Sequence, residues 1–221
     1  EQIFKEFENI KGVLLNENQD IKNNFVFGSD AFELVCGDDK IYEELANISY
    51  EISANSFFQI NSEMGKNMYE YLKGNLKETD RVLDLYCGSG GISLFVADKV
   101  KSVVGIEVVE NAVLNARKSA SKNNIKNVEF LAGTVENQIG SLENNFDVLI
   151  INPPRKGASD AVINDLLTIN PGEIIYVSCE PTTLARDLKK LRENGYIIDT
   201  IKAFDMFPQT SNVETVVIIK K

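Results

Sequence analysis

Apolar residues in the second part of the chain occur in short runs with amphipathic segments between them. Each run is rich in β-branched residues and lacks a polar face, which predicts strands buried on both sides, as in a parallel sheet. The predicted strands are Val82–Tyr86, Val103–Val108, Val128–Leu131, Val148–Ile151 and Ile174–Val177. Helical spacing predicts helices near residues 91–98, 110–123, 160–168 and 181–194. This alternation predicts an α/β fold with an open, doubly wound, mostly parallel sheet.

The end of the chain departs from the alternation. Tyr196–Ile201 and Val213–Ile219 are both strand-like, and the segment between them has no helical periodicity. We therefore expect an antiparallel pair of strands to close the sheet at its edge.

The start of the chain has a different pattern. Phe25–Phe27 and Phe32–Val35 are β-like runs between polar turn residues, and apolar spacing over residues 61–74 predicts a helix. We expect residues 1–55 to be the β-rich remnant of a preceding domain and residues 56–221 to form the main domain. Since the sequence opens on Glu1 without an initiator Met, we also expect it to be a fragment of a longer protein.

Composition excludes several functional classes. The 221 residues are 43% hydrophobic and contain no run long enough to span a bilayer, so we expect a soluble protein. There is no histidine, which excludes Ser-His-Asp and Cys-His catalysis. The three cysteines, Cys36, Cys87 and Cys179, are far apart, so the chain cannot hold a four-cysteine metal cluster or a disulfide framework. A reducing cytoplasm fits this usage.

The net charge of -10 is unevenly distributed. Residues 1–51 have 12 acidic and 4 basic residues, whereas residues 52–221 have 21 and 19. The negative net charge argues against a nonspecific nucleic-acid coat, but the nearly neutral second part permits a nucleic-acid partner.

A glycine-rich loop follows the first predicted strand of the alternating part. The run is Asp84-Leu-Tyr-Cys-Gly-Ser-Gly-Gly91, and Glu107 ends the next predicted strand 23 residues after Asp84. Glycines permit a tight turn close to a ligand, and an acid at the end of the second strand can accept hydrogen bonds from ribose hydroxyls. Because the loop lacks the last glycine of the dinucleotide pattern, a nucleoside is favoured over a pyrophosphate. The alternative is an ordinary strand–turn–helix corner with a surface Glu.

This loop, together with the acid, resembles the first two motifs of the class I S-adenosylmethionine methyltransferases. The resemblance implies that S-adenosylmethionine is the cofactor and that it is bound by Asp84, Tyr86, Gly88, Gly90 and Glu107.

Two further motifs lie at the ends of later strands. Asn152-Pro-Pro-Arg155 follows the fourth strand, and Cys179 follows the fifth, just before a helix whose N-terminus would lower the pKa of a thiol. By position alone, a nucleophile and a small buried hydrophobe are equally good interpretations of Cys179.

Five motifs in order resemble the RNA (uracil-5)-methyltransferases, which act on transfer RNA and 23S ribosomal RNA. They are Ser56–Asn61, the glycine loop, Asn152–Gly157, Ile175–Asp187 and Phe207–Thr215. The resemblance implies methyl transfer to C5 of a uridine through a covalent adduct at C6, and we favour 23S rRNA over tRNA as the target. It implies Cys179 as nucleophile, Glu214 as base, Gln59, Tyr86, Glu107 and Asn152 at the cofactor, and Phe57 beside the target base, with Arg155 also binding the substrate.

The chain departs from the family pattern at three positions. Asn152 replaces the usual Asp, Glu180 replaces the Asn after the cysteine, and Asn212 replaces the His two residues before the base. We expect Glu180 to raise the pKa of the neighbouring thiol by placing a negative charge beside it.

Two alternatives remain open. Asn152-Pro-Pro also begins the motif of the amino-group methyltransferases, which act on adenine or glutamine, but Arg155 stands where their aromatic residue would be. A non-catalytic nucleoside-binding module would keep the glycine loop and leave Cys179 in the core. As RNA is the expected partner and the opening segment is acidic, we expect RNA binding to need an N-terminal domain outside this chain.

Overall fold

The computed structural model describes residues 2–17, 32–54, 56–140, 142 and 145–221. The strands are β1 (Gly12–Leu15), β2 (Glu33–Gly37), β3 (Lys40–Leu45), β4 (Ile48–Ser53), β5 (Arg81–Leu85), β6 (Ser102–Glu107), β7 (Val128–Ala132), β8 (Val148–Ile151), β9 (Glu173–Ser178), β10 (Ile197–Phe204) and β11 (Glu214–Lys220). The helices are α1 (Gln2–Glu6), α2 (Ser62–Gly74), α3 (Gly91–Val96), α4 (Glu110–Lys122), α5 (Val135–Ile139), α6 (Asp160–Ile169) and α7 (Pro181–Glu193). In the part described, no helix is both long and apolar enough to cross a membrane.

A seven-stranded sheet forms the centre of the molecule, in the order β10-β11-β9-β8-β5-β6-β7. Neighbours from β9 through β7 pair in parallel, whereas β11 pairs antiparallel with both β9 and β10. The predicted fold class, including the antiparallel edge, is confirmed. The chain runs outward from β5 to β7 and then returns to β8 on the other side of β5. Such a reversal opens a crevice at the carboxyl ends of β5 and β8, where ligands bind in folds of this kind.

The two faces of the sheet bury separate cores. Along β8, Val148 and Ile150 point into the core formed with α2, α3 and α4, whereas Leu149 and Ile151 point into the core formed with α6 and α7. All four side chains are buried, which explains why this strand lacks a polar face. Complete burial of such a side chain contributes about 1.5–3 kcal/mol.

The predicted strands and helices of the alternating part are present, with boundaries shifted by at most two residues. Tyr86 was predicted inside the first strand but lies outside β5, because its φ of +61° turns the backbone away from the sheet. Helix α5 was not predicted, since its five residues are too few to show a period.

The opening segment contains two antiparallel pairs, β1 with β2 and β3 with β4. The predicted run Phe32–Val35 overlaps β2, and Phe25–Phe27 lies outside the described residues. The hairpin of β3 and β4, which was not predicted individually, contacts α4: the backbone N–H of Glu51 donates to Ser119 Oγ at 2.8 Å. Tyr50 is fully buried in the core on the α2 side of the sheet. The domain boundary at residue 55 stays a prediction, and these buried contacts cross it.

Candidate active site at the carboxyl edge of the sheet

A tight turn connects β5 to α3. Gly90 has a φ of +80°, which side chains rarely adopt. A Cβ at this position would lie 2.8 Å from the Phe130 ring of β7. Only glycine therefore fits here, and the turn packs closely against the neighbouring strands.

Glu107 fastens this turn to the end of β6. One carboxylate oxygen accepts a hydrogen bond from the backbone N–H of Gly88 at 3.1 Å, and the other accepts from that of Val109 at 2.9 Å. Because a carboxylate has about four lone-pair positions, each oxygen can still accept another hydrogen bond. Glu107 is half-buried, so a ligand can reach it.

Asp84 is fully buried beneath the turn. Its Oδ2 accepts a hydrogen bond from Ser93 Oγ at 2.5 Å, whereas Oδ1 has no partner. Burial raises the pKa of Asp84 to about 7, although the Ser93 hydrogen bond acts in the opposite direction. The carboxyl is therefore a buried acceptor with one free oxygen.

Unpartnered polar atoms are concentrated around this turn. Among the described residues, four buried side-chain atoms lack a hydrogen-bond partner, and three of them belong to Gln59, Asp84 and Ser89. Gln59 and Ser89 line a small pocket at the crevice. The lining comprises Phe57, Phe58, Gln59, Tyr69, Tyr86, Cys87, Gly88, Ser89, Gly91, Ile92 and Asn152. Five sequence-predicted residues, Phe57, Gln59, Tyr86, Gly88 and Asn152, are thus brought together there.

The two adjacent phenylalanines have different environments. Phe58 packs against the hydrophobic core, and its ring centroid lies 5.2 Å from that of Tyr50. Phe57 is 67% exposed at the pocket. Of the two rings, Phe58 therefore belongs to the core, whereas Phe57 lies at the pocket.

Asn152 follows β8 at the opposite side of the crevice from the glycine turn. It is half-buried, and its backbone N–H donates to Leu85 O at 3.3 Å, which joins the ends of β8 and β5. Its side chain is therefore available at the pocket, as the position after a parallel strand predicts.

Cys179 follows the last residue of β9, and Glu214 is the first residue of the neighbouring strand β11. The register of β9 and β11 pairs Ser178 with Thr215, so Cys179 and Glu214 are the next residues at this edge of the sheet. Cys179 is half-buried and Glu214 is buried. A nucleophile candidate and a base candidate are therefore adjacent.

Burial dominates the electrostatics of this pair. It raises the pKa of Cys179, and the nearby charge of Glu214 raises it further. The pKa of Cys179 is raised overall although the residue lies just before the N-terminus of α7, because desolvation is the largest effect. Burial also raises the pKa of Glu214.

Glu180 has a different role from the one expected. Its carboxylate accepts from the Thr182 backbone N–H at 3.2 Å and caps α7. The carboxylate that raises the pKa of Cys179 is instead Glu214, on β11.

Arg155 is exposed in the loop after β8, and its charge lowers the pKa of both Cys179 and Glu214. Its Nη2 also approaches Asn212 Oδ1 at 3.5 Å, so one of the three departures from the family pattern lies beside it. The substrate-binding role of Arg155 stays a prediction, as do the other site assignments.

Three polar residues near the site escaped the sequence reasoning. Ser89 and Ser93 lie within or just after the glycine loop, where their small side chains gave no signal of their own. Asp187 is fully buried on α7. It falls in the apolar stripe of this helix with Leu184, Leu188 and Leu191, and an acid in such a stripe could have indicated it.

The fold and the crevice define the class first. The structure is similar to that of the Pyrococcus abyssi tRNA (uracil-54, C5)-methyltransferase in complex with S-adenosyl-L-homocysteine, with a TM-score of 0.77 and 31% identity. The match covers 98% of this chain and 52% of that one. The predicted class I methyltransferase fold is confirmed.

The sequence then defines the family. A model of the tRNA (uracil-5-)-methyltransferases matches residues 2–221. The chain therefore belongs to the tRNA (uracil-5-)-methyltransferase family, which confirms the predicted resemblance.

Relatives support the same assignment. An uncharacterized RNA methyltransferase of Bacillus cereus is 40% identical over 100% of this chain and 49% of its own length. One from Clostridium tetani is 39% identical over 96% of this chain and 47% of its own length. The chain thus spans about half the length of the curated relatives it matches.

Proposed function

We propose that the chain is the catalytic part of an enzyme that methylates C5 of a uridine in RNA, with S-adenosylmethionine as the methyl donor. The observation that carries this proposal is the adjacency of Cys179 and Glu214 at the sheet edge that also holds the glycine turn. The combination favours covalent catalysis over either alternative, since neither an amino-group methyltransferase nor a nucleoside-binding module uses both residues.

Hydrogen-bond acceptors in the pocket and beside it fit the proposed cofactor. An amino acid ammonium needs acceptors, and Gln59 Oε1 and Asp84 Oδ1 are buried acceptors without a partner. Two ribose hydroxyls need acceptors as well, and Glu107 retains free lone pairs on both oxygens. When bound, S-adenosylmethionine supplies an electrophilic methyl group.

Cys179 provides the activation that uracil requires. C5 of uracil is a weak nucleophile, so the thiolate of Cys179 adds to C6, and the displaced electron pair makes C5 nucleophilic. C5 then takes the methyl group as the methyl–sulfur bond breaks, which leaves S-adenosylhomocysteine as the product. Because burial raises the pKa of Cys179, formation of this thiolate needs help, which the positive charge of Arg155 provides.

Glu214 completes the reaction. Its carboxylate removes the proton from C5, the electron pair restores the C5–C6 double bond, and the C6–S bond breaks to release the thiolate. A base with a raised pKa is better suited to hold that proton near neutral pH, and burial raises the pKa of Glu214. Phe57 is exposed beside the pocket and is proposed to stack on the uracil once the base has left its helix.

RNA affinity is proposed to depend partly on a domain outside these 221 residues, because the chain has a net charge of -10 and its relatives are about twice as long. The salt dependence of RNA binding tests this. We expect a shallower slope and weaker binding for this chain than for a full-length relative, and equal slopes and affinities would contradict the proposal.

Product analysis tests the function. Transcripts of 23S rRNA and of tRNA are incubated with a full-length relative and with cofactor labelled in the methyl group. The RNA is then digested to nucleosides, and we expect the label in 5-methyluridine. The preference for 23S rRNA stays a prediction that the same assay measures. Label in N6-methyladenosine would favour the amino-group alternative. Cofactor binding without any transfer by a full-length relative would favour the binding module.

A further inference from the structure

Asp187 is a completely buried carboxylate at the back of the site. Its Oδ2 accepts from Tyr176 Oη at 2.7 Å and from the backbone N–H of Ala158 at 2.9 Å. Its Oδ1 accepts from Arg186 Nε at 2.9 Å and lies 2.9 Å from Arg186 Nη2. One side chain of α7 thus joins β9, its own helix and the loop after β8.

Arg186 extends this attachment along the loop. Its Nη2 donates to the backbone carbonyls of Lys156 and Ala158, both at 3.1 Å. Gly157, between them, has a φ of +75°, and a Cβ there would lie 2.6 Å from both Arg186 Nη2 and Asp187 Oδ2. The loop can therefore approach the Arg–Asp pair only with a glycine at this position.

The attached loop is the one that presents Arg155. Thr183 Oγ1, also on α7, donates to the carbonyl of Arg155 at 3.0 Å. The backbone of residues 155–158 is consequently fixed to α7 on both sides of Gly157. Since Arg155 is exposed, its position beside Cys179 depends on this backbone more than on packing of its own side chain.

We propose that Asp187 is a positioning residue for the proposed reaction: it holds the loop after β8 so that Arg155 remains beside Cys179 and Glu214. This inference rests on the proposed function for its biological meaning, but the geometry that it concerns belongs to the chain alone. Asp187 touches no substrate and acts through Arg186, Tyr176 and the Ala158 amide.

Among the described residues, the charged neighbours of Cys179 and Asp187 come from three elements packed around them. Cys179 faces Glu214 from β11 and Arg155 from the loop. Asp187 faces Arg186 on α7 and Tyr176 on β9. Its charge and that of Glu136 both raise the pKa of Tyr86. If the loop is no longer attached to α7, the pKa of Cys179 should therefore change mainly because Arg155 moves away from it.

The pH profile of cysteine alkylation tests the proposal. In a Cys36→Ser background, the 221-residue chain is treated with iodoacetamide between pH 6 and 10, and modification of Cys179 is followed by peptide mass spectrometry, which separates it from Cys87. Asp187→Asn should shift the profile to higher pH and slow alkylation near pH 7.5 by about 3- to 10-fold, while the limiting rate at high pH stays the same. Arg155→Gln should give a similar shift. The double variant, Asp187→Asn with Arg155→Gln, should shift the profile little further than either single variant, because both substitutions remove the same interaction of Arg155 with Cys179.

Matched variants separate positioning from folding. Asp160→Asn removes a different contact to α7, the ion pair of Asp160 with Lys190, and leaves the Arg186–Asp187 pair in place. This variant should keep the wild-type profile. If Asp187→Asn fails to fold, Arg186→Gln carries the test, since it also loses the contacts to the Lys156 and Ala158 carbonyls. A wild-type profile in a folded Asp187→Asn or Arg186→Gln variant, or fully additive shifts in the double variant, would overturn the proposal. The assay contains neither RNA nor cofactor, so its result is independent of whether uridine is the substrate.

Discussion

Replacement of Glu107 by Gln changes one charge while keeping the size of the side chain. In the structure each carboxylate oxygen accepts one backbone N–H, at 3.1 and 2.9 Å, and keeps a free lone pair for a ribose hydroxyl. The amide has only one accepting oxygen, and its NH₂ group would face a backbone donor. Hydrogen bonds to a charged group contribute about 1.5–3 kcal/mol, so we expect the dissociation constant of S-adenosylmethionine to rise by roughly 10- to 150-fold.

Isothermal calorimetry on the 221-residue chain measures this change without RNA. Glu110→Gln is the matched control, because Glu110 is an exposed acid three residues further on, in the first turn of α4, and should leave the affinity unchanged. A thermal melt verifies that both variants are folded. Wild-type affinity in a folded Glu107→Gln variant would refute the assignment of Glu107 to the ribose.

Two further predictions concern stability. Burial raises the pKa of Asp84 from an ordinary 3.8 to about 7, so the folded chain binds a proton more tightly than the unfolded chain. The resulting contribution to the free energy of unfolding is fully present below about pH 4 and is lost as the pH rises to 7. Asp84→Asn should therefore be more stable than wild type at pH 8 by about 1–4 kcal/mol, with the difference shrinking toward pH 4 in urea titrations, and a constant difference would contradict a shifted pKa. Gly90→Ala should destabilise the chain by about 1–3 kcal/mol, because Gly90 has a φ of +80° and a Cβ there would lie 2.8 Å from Phe130. Gly140→Ala is the control, since a Cβ at that position meets open space. Equal melting temperatures for Gly90→Ala and wild type would refute the steric argument.

The sequence predicted the sheet because its central strands are buried on both faces. Val148–Ile151 has no polar residue, and the structure places alternate side chains in two different cores. The glycine loop and the residues after β8 and β9 were also predictable, since parallel strands deliver their carboxyl ends to one edge.

The parts that escaped prediction depend on contacts between distant residues. Strand β4 alternates apolar and polar residues around Tyr50, but the alternation does not show which core its apolar face packs against. The strand register likewise determines which carboxylate raises the pKa of Cys179. Glu214 is distant from Cys179 in sequence but adjacent to it across β9 and β11. Glu180, the next residue in the chain, is the nearest acid in sequence, but its side chain caps a helix.

The Cys–C6 adduct is the central claim, and the step at which each of two variants stops tests it most directly. A full-length relative carrying the equivalents of Cys179→Ala or Glu214→Gln is incubated with substrate RNA and cofactor labelled in the methyl group, then separated under denaturing conditions. Without proton removal from C5, the thiol cannot leave, so Glu214→Gln should accumulate a denaturant-resistant protein–RNA band that contains the label. Cys179→Ala should give neither the band nor methylated RNA, and methyl transfer by this variant would contradict the covalent mechanism.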